Sequence, residues 1–320
     1  MSAPVGVLVM AYGTASGLED VERYYTDIRG GRAPSAENLR ELLDRYAAVG
    51  NVFPLLDTTR AQADGLVERL NDDGVERFRP YLGMKHSPPS IPDAVARMQE
   101  DGVERAVGIV MAPHWSGMSV ETYVERVLRS IDERGGGLAC TFVRSFHDHP
   151  AFVRYLSARV REAVDRLGVE RPAVVFSAHS LPVRTVEDGS QRCLRCDCDT
   201  SCLYRDGLQR TADLVAAELG LDRYLIAWQS AGRTDDPWWG PPIEEVIERL
   251  GAERRSGVVV CSAGFVADHL ETLYDLDIEA KAVAERVGIP FARTRMPNAD
   301  PAFLDTLAAV VRDHLAEAGA

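Results

Sequence analysis

VGVLVMAYGT, residues 5–14, is the stretch that decides how the chain is read. Its first seven residues carry no polar side chain and no alternation, the mark of a strand buried on both faces, and Tyr12-Gly13-Thr14 ends it in a polar loop. Three later stretches repeat that design: AVGIVMAPHWS (106–116), AVVFSAHSLP (173–182) and SGVVVCSAGFVADH (256–269). Shorter strand-like runs, FRPYLG (78–83) and YLIAW (224–228), lie between them. Helical periodicity fills the intervals at roughly 35–46, 59–70, 91–100, 119–132, 150–167, 208–219, 243–250 and 302–316. Ser35 is placed to cap Glu37 or Asn38, and PNADP (297–301) supplies a stop and start before the last helix. Strands alternating with helices predict an α/β chain whose parallel sheets are covered on both faces, giving three layers.

The pattern restarts after residue 150. Each half holds one early and one late strand that ends in a polar loop, which predicts two similar domains, 1–150 and 151–320, with the final helix packing back on the first. Ligands of parallel α/β folds bind beyond the carboxyl ends of the strands. All four polar loops sit there, so a cleft between the domains is the expected site. No GxGxxG or P-loop pattern occurs, which argues against dinucleotides and nucleoside triphosphates.

Composition narrows the partners. The 320 residues carry 36 basic and 49 acidic side chains, a formal charge of −13, and Lys85 and Lys281 are the sole lysines. Such a field repels nucleic acid. No segment approaches about 20 apolar residues, so no integral membrane segment and a cytoplasmic location are expected. A monomer is expected of a chain that encloses its own cleft.

His179 follows a buried strand and precedes Pro182, where an imidazole can bind a borderline metal or take a proton near neutral pH; a loop histidine satisfied by a carbonyl is the plain alternative. Glu271, Asp275 and Glu279 recur every fourth residue along one helix face whose Leu270, Leu273, Tyr274 and Ile278 are apolar. A carboxylate ladder beside a core is suited to hold or pass on a divalent cation. Asp268 and His269 do not converge with each other and read as capping or supporting residues. Tyr12, Met84 and Trp115 suit a flat apolar ligand, and Arg29, Arg32 and Lys85 suit its carboxylates, with His86 beside them. Cys193, Cys196, Cys198 and Cys202 are spaced C-x2-C-x-C-x3-C, which serves a tetrahedral zinc or an iron–sulfur cluster.

LVMAYGT with YYTDIRGGR, GMKHS, APHWS, SAHSLP, AWQSAG with DPWWGPP, and GFVADHLETLYDLD, in that order, resemble the bacterial ferrochelatases of the soluble coproporphyrin type. The resemblance implies two chelatase-like domains with parallel four-stranded sheets facing a porphyrin cleft. It implies insertion of ferrous iron, as substrate, into coproporphyrin III, or alternatively protoporphyrin IX, and a haem-pathway enzyme that receives the product. A non-catalytic haem or iron carrier is the reading from a different class. His179 and Glu271 match the residues that flank the tetrapyrrole centre. Asp275 and Glu279 match an outer cation site, Tyr12 the opposite face, and Arg29, Lys85, His86 and Trp115 the porphyrin pocket. The chain departs from the pattern at Gly30 and Phe53, where relatives often carry arginine and serine. The cysteines are a third departure: clusters in the family commonly take ligands near the C-terminus, whereas no cysteine follows Cys261 here, and the local run Cys193, Cys196, Cys198 and Cys202 after HSLP favours a [2Fe-2S] cluster over structural zinc, in a structural or sensory role.

Overall fold

The computed structural model describes residues 3–72, 74, 77–196, 201–232 and 234–318. Its first sheet joins β1 (Val5–Ala11), β2 (Phe78–Met84), β3 (Arg105–Val110) and β4 (Ala139–Val143) in the order β2-β1-β3-β4, all parallel. The second joins β5 (Ala173–His179), β8 (Leu225–Gln229), β9 (Val258–Cys261) and β10 (Phe291–Arg293), again parallel, with β8-β5-β9-β10 as its order. Numbering each sheet's strands by appearance gives 2-1-3-4 twice. The chain therefore builds two α/β domains of one topology.

That order fixes where ligands go. In a 2-1-3-4 sheet the connections run outward in opposite directions from the first and third strands, opening a crevice at their carboxyl ends. The strands in question are β1 and β3, then β5 and β9, and they feed the four loops that the sequence marks as polar.

Side-chain alternation explains the layering. Val5, Val7 and Val9 of β1 point into one core while Leu8 and Met10 point into another. α4 (Ile91–Glu100) and α5 (Val120–Glu133) cover the second face of the first sheet. α8 (Ile243–Ala252), with Leu276, Ala280 and Ala284, covers the outer face of the second. The largest core is shared: it joins Val7 and Ile109 of the first sheet to Phe176 and Cys261 of the second, through α3 (Leu55–Asn71), α6 (Pro150–Leu167), α7 (Leu203–Leu219) and α10 (Pro301–Ala318). α10 packs on both α3 and α6. Gln62 of α3 bolts the halves together, its buried amide nitrogen donating to the carbonyls of Val266 and Asn298, each at 2.9 Å.

α1 (Val21–Ile28) and α2 (Ala36–Ala48) form an outlying pair around Val21, Tyr24 and Tyr46, against which Leu270 packs. The Ser35 cap forms as expected, its Oγ accepting from Asn38 at 3.2 Å. A short hairpin, β6 (Val183–Thr185) and β7 (Gln191–Cys193), follows the HSLP loop. Among the described residues, no helix is long and apolar enough to cross a membrane.

Candidate active site

β5 carries His179 as its last residue, and the turn beyond it is fastened from three sides. Ser180 donates its amide to Gln229 at 2.7 Å and its hydroxyl to Trp239 at 2.8 Å, while Tyr204 donates to the His179 carbonyl at 2.9 Å. The imidazole Nδ1 lies against the Ser180 carbonyl, which leaves Nε2 facing the cleft. Glu271 stands opposite, its Oε1 3.6 Å from His179 Nε2 and its Oε2 3.5 Å from His269 Nε2. These separations are ionic contacts rather than hydrogen bonds of ordinary length.

The electrostatics of the pair follow. Desolvation pulls the His179 pKa down, but the Glu271 carboxylate outweighs it and leaves the imidazole above its usual range. Desolvation likewise opposes ionisation of Glu271, yet His179 and then His269 hold that carboxyl well below the ordinary value. Each partner thus favours the charged form of the other, the imidazolium of His179 and the carboxylate of Glu271. His269, expected only to support, is the second imidazole beside Glu271. Asp268 serves the fold, binding Arg293 at 3.1 Å and the Asn298 amide at 2.7 Å.

Glu271 opens an unusual helix. Residues Thr272–Ala280 form a π-helix that continues into α9 (Lys281–Val287), where the sequence predicts an ordinary helix. π turns are rare and gather at functional sites. Asp275 lies inside it, 3% exposed, its Oδ2 accepting from the Ser230 hydroxyl and its Oδ1 3.7 Å from Arg45 Nη1. Burial, then the Glu271 charge, push the Asp275 carboxyl up to about 7. Glu279 is half-buried further along and adds to that upward push.

The first domain supplies the facing wall. Tyr12 is 43% exposed at the end of β1, yet Glu271 is among the charges that hold its phenol protonated, after the larger effect of desolvation. Its ring lies 4.6 Å from that of His86, whose Nδ1 meets Asp27 at 2.9 Å. The turn between them requires Gly13: its φ is +102°, and an added Cβ would stand 2.7 Å from Ser87 Oγ. Lys85 Nζ lies over the rings of Tyr12 and Tyr123, at 5.9 and 5.1 Å from their centroids. Burial, then Arg126 and Arg195, bring its ammonium down to about 8. Arg29 lies over Tyr25, its Nε buried with no hydrogen-bond partner among the described residues. Trp115 packs between two cores, its indole donating to Glu121 at 3.1 Å. Gly30 takes a φ of +65°, and Phe53 stacks on Tyr46 at 4.5 Å.

The cysteines correct an expectation. Cys198 lies outside the described residues. Cys193 and Cys202 are buried with their sulfurs 3.1 Å apart, and the Trp239 indole donates to Cys193 Sγ at 3.3 Å. Tetrahedral zinc with bonds of about 2.3 Å would hold its sulfurs farther apart, roughly 3.8 Å. Cys196 is disulfide-bonded, so its sulfur is not a free ligand. Among the described residues no three His, Cys, Asp or Glu side chains converge as a metal site. The expected [2Fe-2S] cluster and the zinc alternative are both overturned. The fold brings Cys193 and Cys202 together, and the core uses their sulfurs for a thiol–thiol contact and an indole hydrogen bond.

Arg45, Ser230, Arg126 and Arg195 join the site without a signal in the sequence, because each reaches it from an element remote along the chain.

The ferrochelatase family model matches residues 4–315. A coproporphyrin III ferrochelatase of Anoxybacillus flavithermus is 45% identical over 321 residues, covering 98% of each chain. One from Geobacillus is 44% identical over 313 residues, covering 96% of each. Among solved structures, SirB from Bacillus subtilis with Fe3+ aligns over 97% of this chain and 95% of its own with a TM-score of 0.58, at 10% identity, a likeness of fold alone. This chain, matched along nearly its whole length, belongs to the ferrochelatase family.

Proposed function

We propose that the protein inserts ferrous iron into coproporphyrin III, releasing two pyrrole protons and forming coprohaem. The observation that carries this reading is the ionic pair of His179 and Glu271, standing at the carboxyl ends of switch-point strands and facing Tyr12 across the cleft. Its relatives of more than 40% identity are named for the same substrate.

The chemistry needed is an exchange of one dication for two protons. Neutralising groups must lie near the ring centre, and a negative charge must offset the arriving iron. Glu271 supplies that charge. As the dication nears Glu271, it competes for the carboxylate that stabilises the His179 imidazolium, so the imidazole passes its proton outward to Asp275 and Nε2 becomes free to accept the two pyrrole protons in turn, each leaving by the same route. Asp275, poised near neutrality, and Glu279 lead outward from this point as a stripe along which a cation and protons pass. Tyr12 closes the opposite face, and Arg29, Lys85 and His86 meet the substrate's periphery, with Trp115 bracing the wall behind them. The units of this reading are 1–150 and 151–320, acting as a monomer in the cytoplasm and delivering product to the next enzyme of haem formation.

The test is anaerobic mixing of purified protein with ferrous iron and either coproporphyrin III or protoporphyrin IX, followed by visible absorption. Coproporphyrin is expected to be metallated faster. Faster turnover of protoporphyrin would overturn the substrate, and no acceleration with either would overturn the enzyme.

A further inference from the structure

Two cations, Lys85 and Arg126, meet on the first-domain side of the cleft, and a third, Arg195, stands near enough for its charge to act on Lys85. Lys85 follows β2, and its ammonium lies between the rings of Tyr12 and Tyr123. Arg126, on α5, donates through Nη1 to the Lys85 carbonyl. Arg195 comes from the other domain, on the loop after β7. Its carbonyl oxygen rests on Gly117 so closely that a Cβ there would stand 2.1 Å away. The contact fixes this loop of the second domain against the segment that leads into α5.

None of the three forms an ion pair with a carboxylate among the described residues, although the chain carries 49 acidic side chains against 36 basic ones. Arginines elsewhere do find carboxylates: Arg293 pairs with Asp277 at 2.7 Å and Asp268 at 3.1 Å, and Arg159 with Glu162 at 2.6 Å and Asp300 at 3.1 Å. Glu125 is the one carboxylate whose charge offsets them at Lys85, and its effect is smaller than that of either arginine, so the group keeps an excess of positive charge that an anion would complete. The mutual repulsion is registered at Lys85, whose ammonium is depressed to about 8 by burial first and by Arg126 and Arg195 next. Lys85 lies 5.9 Å from the centre of the Tyr12 ring, which sets this positive charge beside the wall that faces Glu271 and not on the His179–Glu271 pair itself.

We propose that Lys85, Arg126 and Arg195 form a carboxylate clamp, closed by a loop of the second domain, that holds an acidic side chain of a four-carboxylate tetrapyrrole and helps select it over a two-carboxylate one. The clamp deepens the functional reading above and rests on it for the identity of the ring. Guanidinium groups suit the task because they bind carboxylates in a fork.

Arg195→Ala is the decisive variant, since it removes an exposed guanidinium and keeps the backbone carbonyl that packs on Gly117. Fluorescence quenching of metal-free coproporphyrin III and protoporphyrin IX would give Kd for each, with no iron present. The clamp predicts that Arg195→Ala raises Kd for coproporphyrin about tenfold and for protoporphyrin less than twofold, and that Arg195→Lys restores most of the loss. Unchanged coproporphyrin binding, equal losses for the two rings, or a wild-type protein that binds neither would overturn it. A wild-type protein that binds coproporphyrin in this manner yet inserts no iron would instead overturn the enzymatic reading and leave the clamp standing.

Discussion

His114 illustrates how single residues tie the two domains together. It lies in the loop after β3, 2% exposed, and its Nε2 donates to Thr211 Oγ1 of α7 at 2.9 Å. Its Nδ1 has no partner among the described residues. Burial, then the neighbouring His147, hold its pKa at about 3, so it stays neutral in the folded protein. The unfolded chain takes up that proton near pH 6.5, and stability present above this value is lost as pH falls towards 3. From this group alone, unfolding free energy measured in urea should drop by about 2 kcal/mol between pH 6.5 and pH 5. His114→Gln keeps a donor for Thr211 and should flatten that dependence; an unchanged slope would show that the buried imidazole is not its source.

The same scale shows what the sequence makes legible. His179 is marked by its place after a buried strand, and Glu271 by its stripe. Ser230, which donates to Asp275 from 45 residues away, leaves no local trace, and neither does Arg45, which crosses from α2. Such contacts belong to the tertiary fold. The cysteines mislead for a related reason: close spacing predicts proximity, while the use of each sulfur depends on Trp239 and the surrounding core.

At the scale of elements, the acidic helix shows the limit most clearly. In an α-helix each four-residue step drifts about 40° around the axis. A π turn, with one more residue in its hydrogen-bonded ring, drifts the other way, so the spacing of Glu271, Asp275 and Glu279 fits either. The stripe is readable and the helix type is not. Deleting Ile278 would let the segment tighten towards α geometry and turn Glu279 by roughly 100° relative to Asp275. The variant should keep cooperative unfolding and coproporphyrin binding while iron insertion falls at least tenfold. Unchanged kcat and ferrous iron KM would remove the stripe from the route of the metal. Strands are unevenly legible as well. β4 lacks the mark of a buried run because its residues alternate between exposed and half-buried before Val143, and β10 because it has three residues, all half-buried.

Across the whole molecule, repetition of one strand order accounts for the site. Two 2-1-3-4 sheets each open a crevice after their first and third strands, and the shared core holds the crevices face to face. One domain brings Tyr12, Lys85 and His86; the other brings His179, His269 and the π-helix with its carboxylates. The sequence already contains this plan in four buried runs with polar endings, which is why the fold is legible from residues 5–14 outward. Distances across the seam are not, since they depend on how the domains pack. The central claim is that the His179–Glu271 pair, assembled at this seam, performs the exchange of iron for pyrrole protons. The most direct measurement is the first-turnover rate of coproporphyrin III metallation by anaerobic stopped flow, with enzyme in excess, for wild type and Glu271→Gln. Removing the charge while keeping the side-chain shape should slow insertion at least 100-fold with porphyrin binding intact; a Glu271→Gln rate within twofold of wild type would contradict the account.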